Sequence, residues 1–350
     1  MNKKKIRVLI VDDSRFMREF MASAMEEDGG IEVVGKAVDP YEARDMLLEL
    51  KPDVMTLDIQ MPKMNGIDFL KKLMPQYPLP VVVVSAASSS VFEAMEAGAV
   101  DFISKASTRN DKQRNAFVSE LVVKIKVASI AKVGQHKLKA SRSKAANQPQ
   151  QQNAMKKVIA IGASTGGTEA TLNLLQGMAD DLPGILVVQH MPPIFTKLYS
   201  ERLNNTLPMR VKEAENGDTI EPGSVLIAPG GLHMRMKKTG SRLYVEVKEG
   251  EKISGHCPSV DALFHSVAAI KGIDSLGIIM TGMGSDGAKG LLAMKQAGAA
   301  TIGQNKETCA VYGMPAVAYN IGAVDIQLPV SKMPGKIYEW YAKLGKKGGK

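Results

Sequence analysis

The sequence predicts an α/β protein with two doubly wound, mostly parallel-sheet domains joined by a flexible basic linker. In both halves of the 350-residue chain, short apolar runs alternate with helical patterns, which is typical of parallel sheets covered by helices. Residues 134–154, GQHKLKASRSKAANQPQQQNA, are polar and lack apolar periodicity, as expected of a linker. We therefore expect a first domain over residues 1–127, a linker over 128–154 and a second domain over 155–350.

The excess positive charge of the chain lies in and around the linker. The formal net charge is +9 at pH 7, and no acidic residue occurs between Glu120 and Glu169. Outside this segment, basic and acidic residues balance. No zinc-ligand spacing or aromatic-basic interleaving occurs either, so we expect no nucleic-acid partner.

Neither secretion nor membrane insertion is predicted. The first apolar run extends only from Ile6 to Val11 before two aspartates, and no run approaches the ~18 apolar residues of a membrane span. Cys257 and Cys309 could form at most one disulfide, which a chain of this size does not need. We expect a monomeric cytoplasmic protein with reduced thiols.

Five strands are predicted in the first half, at IRVLIV, IEVVGKA, VMTLD, VVVVSA and DFIS, each followed by a helical segment. Ligands of such sheets bind at the carboxyl ends of the strands. Asp12 and Asp13 follow the first strand, Asp58 ends the third, Ser85 ends the fourth, and Lys105 lies just past the fifth. Polar side chains therefore collect at the edge where a ligand is expected.

These side chains have the chemistry of a phosphoryl site. Clustered carboxylates repel one another, and oxygen-only ligands favour Mg2+. An aspartate can accept a phosphoryl group whose oxygens are bound by Lys105 and the Ser85 hydroxyl. Alternatively, each polar residue simply caps a helix or ends a strand. The whole set at matching strand ends favours the phosphoryl site.

The first half resembles the receiver domain of two-component response regulators, through VDDS, DIQMPKMNG, SAAS and DFISK. The resemblance implies that a histidine kinase phosphorylates Asp58 and that Ser85 and Phe102 transmit the change. It also implies an Mg2+ site made by Asp12, Asp13, Asp58 and the Gln60 carbonyl. Receivers usually have proline after the lysine, whereas Lys105 precedes Ala106, and a cis peptide is therefore not expected there.

The second half predicts another sheet, with strands at KVIAIG, ILVVQH, SVLIAP, LGIIMTG and ATIGQ. An alternating pattern over residues 232–247, with Thr239 and Gly240 at its centre, predicts an added hairpin. No helix-turn-helix pattern is present, which argues against a DNA-binding output domain.

The stretch IGASTGG, residues 161–167, stands at the end of the first of these strands. Its glycines do not fit G-x-G-x-x-G, and Thr168 stands where a phosphate-binding loop requires lysine. The stretch does fit G-x-S-x-G between a strand and a helix, which would expose Ser164 as a nucleophile. The backbone N–H of Thr165 would then face a developing oxyanion.

A catalytic serine needs a histidine base. Five histidines are present, and His190 ends a predicted strand at the edge where Ser164 emerges. A lone histidine is more often structural, but the shared edge favours His190 as the base. His265 lies on a predicted helix, where we expect it to be packed. The other histidines are His136, His233 and His256.

The base in turn needs a buried carboxylate. Asp286 follows a predicted strand in the glycine-rich TGMGSDG, whereas Asp261 also fits the first turn of a helix. The order Ser164, His190, Asp286 differs from that of α/β-hydrolases, so a triad of these residues would have arisen independently of that fold.

The motifs IGASTGGTEA, QHMPP, IAPGGLHM, CPSVDALFHS and TGMGSDGAKG closely resemble the catalytic domain of the chemotaxis-specific protein-glutamate methylesterases, the CheB family. The resemblance implies a Rossmann-like domain in which Ser164, His190 and Asp286 form a triad and the Met283 N–H assists the oxyanion. It implies hydrolysis of glutamate methyl esters and deamidation of glutamines on chemoreceptors, with no cofactor for the esterase reaction. Cys257 stands where the family has arginine, so receptor preference can differ.

Two functions remain open at this point. In the first, the unphosphorylated receiver inhibits an esterase by covering the Ser164 edge, and phosphorylation of Asp58 relieves the inhibition. Contact with the membrane would then occur only through the receptors. In the second, the second half is a binding module and Ser164 performs no chemistry.

Overall fold

The computed structural model describes residues 4–86, 90–105, 110–134 and 156–347. The chain divides into two compact units, residues 1–136 and 137–350. Ala106, His136 and most of the predicted linker lie outside the described residues. The described start of that linker still belongs to the first unit, since Ala131 and Val133 pack against its core.

The first unit is a five-stranded parallel sheet in the order β2-β1-β3-β4-β5. All five predicted strands are confirmed. The strands are β1 Ile6–Val11, β2 Ile31–Ala37, β3 Val54–Leu57, β4 Val81–Ser85 and β5 Asp101–Ser104. The helices are α1 Arg15–Glu26, α2 Pro40–Leu50, α3 Gly66–Leu73, α4 Val91–Glu96 and α5 Asp111–Ala128.

Side-chain caps begin most of these helices at the carboxyl edge of the sheet. Ser14, Asp39, Asn65 and Asn110 each accept a hydrogen bond from a backbone N–H in the first turn of the helix that follows. Such caps satisfy donors that a helix start leaves without partners. The core beneath them is aliphatic, and every residue of β4 is buried.

The second unit contains a seven-stranded parallel sheet in the order β14-β13-β12-β6-β7-β9-β8. Its strands are β6 Lys157–Ala163, β7 Gly184–Gln189, β8 Arg210–Glu213, β9 Ser224–Ile227, β12 Asp274–Ile279, β13 Ala300–Gln304 and β14 Ile326–Leu328. The predicted hairpin is confirmed as the antiparallel pair β10 His233–Thr239 and β11 Arg242–Lys248. The edge strands β8 and β14 were not predicted.

Helices cover the second sheet, and the strand order determines which loops meet. The helices are α6 Gly167–Gln176, α7 Phe195–Thr206, α8 Val260–Ala268, α9 Ala288–Gln296, α10 Met314–Asn320 and α11 Met333–Lys347. Because β6 lies between β12 and β7, the loops after these three strands share one edge. No helix among the described residues is long and apolar enough to cross a membrane.

Candidate active site

Ser164 stands directly after β6, in a tight turn that leads into α6. Its backbone N–H donates to the Thr281 carbonyl at 2.9 Å, and the Gly167 N–H donates to the Ser164 carbonyl at 2.7 Å. Gly166 has a φ of 74°, a backbone conformation that favours glycine. A Cβ at Gly166 would also lie 2.5 Å from the Ala310 Cβ. The glycine therefore permits the turn that carries Ser164.

Gln189 also holds this turn, and sequence reasoning missed it. Its buried side chain donates through Nε2 to the Ser164 carbonyl at 2.8 Å. Gln189 is the last residue of β7 and pairs with Ala163 in the register of β6 and β7. This register places Ser164 and His190, the next residue of each strand, side by side.

His190 uses one ring nitrogen to meet Asp286 and leaves the other without a partner. Its Nε2 lies 2.7 Å from Asp286 Oδ2. Its Nδ1 is buried and has no hydrogen-bond partner among the described residues. Nδ1 is the ring nitrogen nearer the backbone, and the His190 N–H donates to the Ala163 carbonyl at 3.1 Å. Nδ1 is therefore the nitrogen available to a group on the Ser164 turn.

Asp286 is 1% exposed and is held by the start of α8. Its carboxylate accepts hydrogen bonds from Ser259 Oγ at 2.8 Å, the Val260 N–H at 2.8 Å and the Asp261 N–H at 3.0 Å. Burial alone would raise the pKa of Asp286, but its contact with His190 and the hydrogen bonds from the start of α8 lower it below its usual value. Asp286 is therefore a fixed carboxylate at neutral pH.

The structure separates Asp286 from its competitor. The Asp261 side chain accepts from the Gly290 N–H at 2.7 Å, in the first turn of α9. Among the described residues, Asp286 is the carboxylate that pairs with His190. The expectation that His265 is packed was wrong, because it is exposed on α8.

His256 covers the ring of His190, a contact that sequence reasoning missed. The two ring centroids lie 3.7 Å apart and the ring planes differ by 7°. Burial, helped by the neighbouring His190, lowers the pKa of His256 to about 4. His256 precedes Cys257 by one residue, but no sequence pattern indicates that the chain folds back onto His190 there.

The two expected oxyanion donors lie in segments that flank Ser164. Thr165 follows it directly and is 9% exposed. Met283 follows Gly282, where an added Cβ would lie 2.6 Å from the Ser164 Cβ. Met283 is 44% exposed. Both segments therefore adjoin Ser164.

The first unit brings its predicted acidic residues together. Asp12, Asp13 and Asp58 offer carboxylate oxygens that all lie within 4.8 Å of one another. Lys105 Nζ lies 2.6 Å from Asp58 Oδ2 and 2.7 Å from Asp12 Oδ2. Burial raises the pKa of Asp58 even though Lys105 acts in the opposite direction. Burial lowers the pKa of Lys105, but its two carboxylate partners outweigh this and raise it.

The other predicted residues of this edge are near the acidic cluster or buried in the sheet. Gln60 is exposed, and its N–H donates to Asp58 Oδ1 at 3.3 Å. Ser85 and Phe102 are 1% and 4% exposed. The Phe102 ring meets that of Phe92 edge to face, with centroids 6.4 Å apart. Ser85 pairs with Ser104 in the register of β4 and β5.

Two family descriptions match the chain. The CheB methylesterase family matches residues 159–337, about half of the chain, and the response regulator receiver domain matches residues 8–115. The chain belongs to the CheB methylesterase family.

Two relatives of this CheB family member match it along nearly its whole length, and one solved structure matches about half of it. The "Protein-glutamate methylesterase/protein-glutamine glutaminase 2" of Syntrophomonas wolfei is 52% identical over 339 residues, covering 97% of this chain and 98% of that protein. The corresponding protein of Salmonella typhimurium is 43% identical, covering 94% of this chain and 95% of that protein. The crystal structure of the Thermotoga maritima CheB methylesterase catalytic domain is 38% identical, with a TM-score of 0.51, and covers 52% of this chain and 97% of that one.

Proposed function

We propose that this CheB family member is a phosphorylation-activated esterase of bacterial chemotaxis. It hydrolyses glutamate methyl esters on chemoreceptors and deamidates certain receptor glutamines. The observation that carries the proposal is the 2.7 Å contact between His190 and Asp286 beside the Ser164 turn, with no described residue as a hydrogen-bond partner of His190 Nδ1. The names of relatives that match nearly the whole chain support the same two activities.

In the proposed reaction, Ser164 Oγ attacks the carbonyl carbon of the substrate while its proton passes to His190 Nδ1. Asp286, at Nε2, stabilises the imidazolium that forms. The Thr165 and Met283 N–H groups stabilise the tetrahedral oxyanion. His190 then protonates the leaving methoxide oxygen or amide nitrogen as its bond to carbon breaks, which releases methanol or ammonia. A water deprotonated by His190 attacks the acyl-serine, and the proton returns to Ser164 Oγ as the carboxylic acid leaves. Ester and amide share the oxyanion, so one site serves both substrates.

The base nitrogen in this scheme is Nδ1 rather than Nε2. Ser164 and His190 follow paired residues of neighbouring strands. The serine therefore approaches the side of the imidazole ring that lies nearer the His190 backbone. Asp286 comes from the loop after β12 and reaches the far nitrogen. Hydrogen bonds between base and nucleophile are often formed only in the substrate complex, which is consistent with an Nδ1 that has no partner in the described part of the chain.

The receiver regulates this reaction in the proposal. A histidine kinase phosphorylates Asp58, while Lys105 and Ser85 bind the phosphoryl oxygens and Phe102 takes part in the readout. The cluster of carboxylate oxygens within 4.8 Å suits a hard cation. Mg2+ would be held by Asp12, Asp13, Asp58 and the Gln60 carbonyl. When bound, it would offset the charge of the phosphoryl group.

The unphosphorylated receiver inhibits the esterase in this proposal. The chain acts as a cytoplasmic monomer that reaches the membrane only through its receptors, and the esterase reaction uses no cofactor. Removal of residues 1–154 should raise the activity above that of the unphosphorylated full chain. A fragment no more active than the full chain would refute inhibition by the receiver.

The decisive experiment measures methanol release from membranes that carry methylated receptors. Ser164→Ala should lower release by several orders of magnitude while the protein stays folded. A small phosphodonor should increase release by the wild type and leave Ser164→Ala inactive. Equal release by the two proteins would mean that the second unit is a binding module and not an esterase.

A further inference from the structure

We propose that His256 is a positioning residue for the esterase reaction, and that its flat ring fixes the plane of the His190 ring. This inference rests on the proposed function, because it concerns the base of that reaction. His256 meets the face of His190, whereas Asp286 meets its edge.

The stacking supplies a restraint that the hydrogen bond to Asp286 lacks. One hydrogen bond at Nε2 restrains a point on the ring edge, but small rotations about the two side-chain bonds of His190 can still tilt the ring about that point. A second ring 3.7 Å away and within 7° of parallel blocks that tilt. Together the two contacts determine where Nδ1 points, which decides whether it can accept the proton of Ser164.

His256 is itself held in a tight turn. The Ile253 N–H donates to the His256 carbonyl and the His256 N–H donates to the Ile253 carbonyl, both at 3.0 Å. Ser254 and Gly255, between them, have φ values of 53° and 83°. Two residues of positive φ between such paired residues are typical of a type I′ hairpin turn. Backbone hydrogen bonds therefore fix the main chain from which the His256 ring projects.

The same segment also fixes Asp286. Ser254 Oγ donates to Asp261 Oδ2 at 3.4 Å, which ties the turn to the first turn of α8. Ser259, Val260 and Asp261 donate to the Asp286 carboxylate. Residues 253–261 thus hold both groups that contact the His190 ring, one at its face and one at its edge.

The absence of charge on the His256 ring near pH 7 suits this role. Besides burial, the neighbouring ionisable groups that act on its pKa are His190, Asp286 and Lys252. Burial and the neighbouring His190 lower the pKa of His256 to about 4, so the ring is neutral near pH 7. Two charged imidazoles at this distance would repel each other. A neutral aromatic face can instead remain stacked on His190 when the latter becomes an imidazolium.

The test compares three variants of the full chain in the methanol-release assay with phosphodonor. His256→Phe keeps a flat ring, His256→Leu has similar bulk without one, and His256→Ala removes both. We expect the kcat of His256→Phe within about threefold of the wild type, and kcat reductions of about 10- to 100-fold for the other two with little change in KM, as for a base moved by roughly an ångström. His265→Ala, an exposed position on α8, should behave as the wild type.

A spectroscopic readout separates this inference from the proposed activity. The proton between His190 Nε2 and Asp286 should give a low-field NMR resonance, which we expect in the wild type and His256→Phe and expect to broaden by exchange in His256→Leu. An unchanged resonance and unchanged kcat in a folded His256→Leu would overturn the positioning role. Inactivity of the wild type, with the resonance responding as expected, would overturn the esterase function and leave the ring contact intact.

Discussion

Asp286 and Asp261 form reciprocal helix caps: Asp286 caps α8, the helix that carries Asp261, and Asp261 caps α9, the helix that follows Asp286. Asp286, just before α9, accepts from the Val260 and Asp261 N–H groups at the start of α8. Asp261 accepts from the Gly290 N–H at the start of α9. Negative charge is favourable at the N-termini of both helices. Burial raises the pKa of Asp261, and the charge of Asp286 adds to this, whereas the contacts with His190 lower the pKa of Asp286 against the effect of its burial.

The first prediction uses this pair to identify the acid that orients the base. Asp286→Asn should lower kcat by about 10³- to 10⁴-fold, the order expected when a triad histidine loses its carboxylate. Asp261→Asn keeps an oxygen for the Gly290 N–H and should lower kcat by less than about tenfold. Methanol release and far-UV circular dichroism of both variants check this. Equal losses in two folded variants would contradict the assignment of Asp286.

The second prediction concerns the packing below the serine turn. A Cβ at Gly162 would lie 2.2 Å from the Val260 Cγ1, so Gly162→Ala overpacks the contact between β6 and α8. We expect it to lower the free energy of unfolding by about 1–3 kcal/mol. Gly162→Ala should cost less in a Val260→Ala background, with a coupling of about 0.5–3 kcal/mol.

Urea unfolding followed by the fluorescence of Trp340 measures this cost, because the chain has one tryptophan, which lies on α11 of the second unit. Gly335→Ala is the matched control. An added Cβ there meets nothing within 4 Å, so the variant should be neutral or slightly more stable. Identical costs of Gly162→Ala in both backgrounds would show that Val260 is not the obstacle.

Strand patterns predicted most of the fold, and strand-end chemistry selected residues that the structure brings together at the candidate site. Each long apolar run became a strand, because buried parallel strands need continuous apolar sequence. Ser164, His190 and Asp286 were selected as candidates because each follows such a strand, and the parallel order of β12, β6 and β7 brings the loops after these strands to one edge. The strands β8 and β14 were missed because four and three residues at a sheet edge carry little periodic signal.

Contacts that depend on distant parts of the chain folding together could not be predicted. His256 reaches His190 only because the turn at Ser254 and Gly255 reverses the chain. Gln189 looked like an ordinary strand residue, although its side chain supports the Ser164 turn. His265 was expected to be packed on an apolar helix, but the face on which it lies depends on how α8 meets the sheet.

The third prediction concerns the pH dependence of stability. His256 has a pKa of about 4 in the folded chain and an ordinary value of about 6.5 when unfolded. At pH values between these two pKa values, His256 is protonated in the unfolded chain and neutral in the folded chain. The free energy of unfolding therefore falls as the pH falls. His256→Phe should lose less stability than the wild type between pH 7 and pH 4.5. Urea unfolding followed by Trp340 fluorescence at several pH values tests this, and parallel pH profiles would contradict it.

The last prediction concerns Lys105 and Mg2+ in the receiver. The Lys105 ammonium lies between two carboxylates whose side chains are 0% and 5% exposed, those of Asp12 and Asp58. Lys105→Ala removes this positive charge and leaves the carboxylates to repel one another. In EDTA the variant should therefore lose about 3 kcal/mol of receiver stability, the order expected when one partner of a buried ion pair is removed.

Mg2+ should recover much of this loss, because a cation that binds only the folded receiver stabilises it by mass action, by about 2.7 kcal/mol at a hundredfold excess over its dissociation constant. Calorimetry with and without Mg2+ should show a larger rise in Tm for Lys105→Ala than for the wild type. Asp13→Asn is the control, since Asp13 is exposed, belongs to the carboxylate cluster and is not a partner of Lys105 among the described residues; its rise should be smaller than that of the wild type. The same rise in all three proteins would mean that Mg2+ does not bind at these carboxylates.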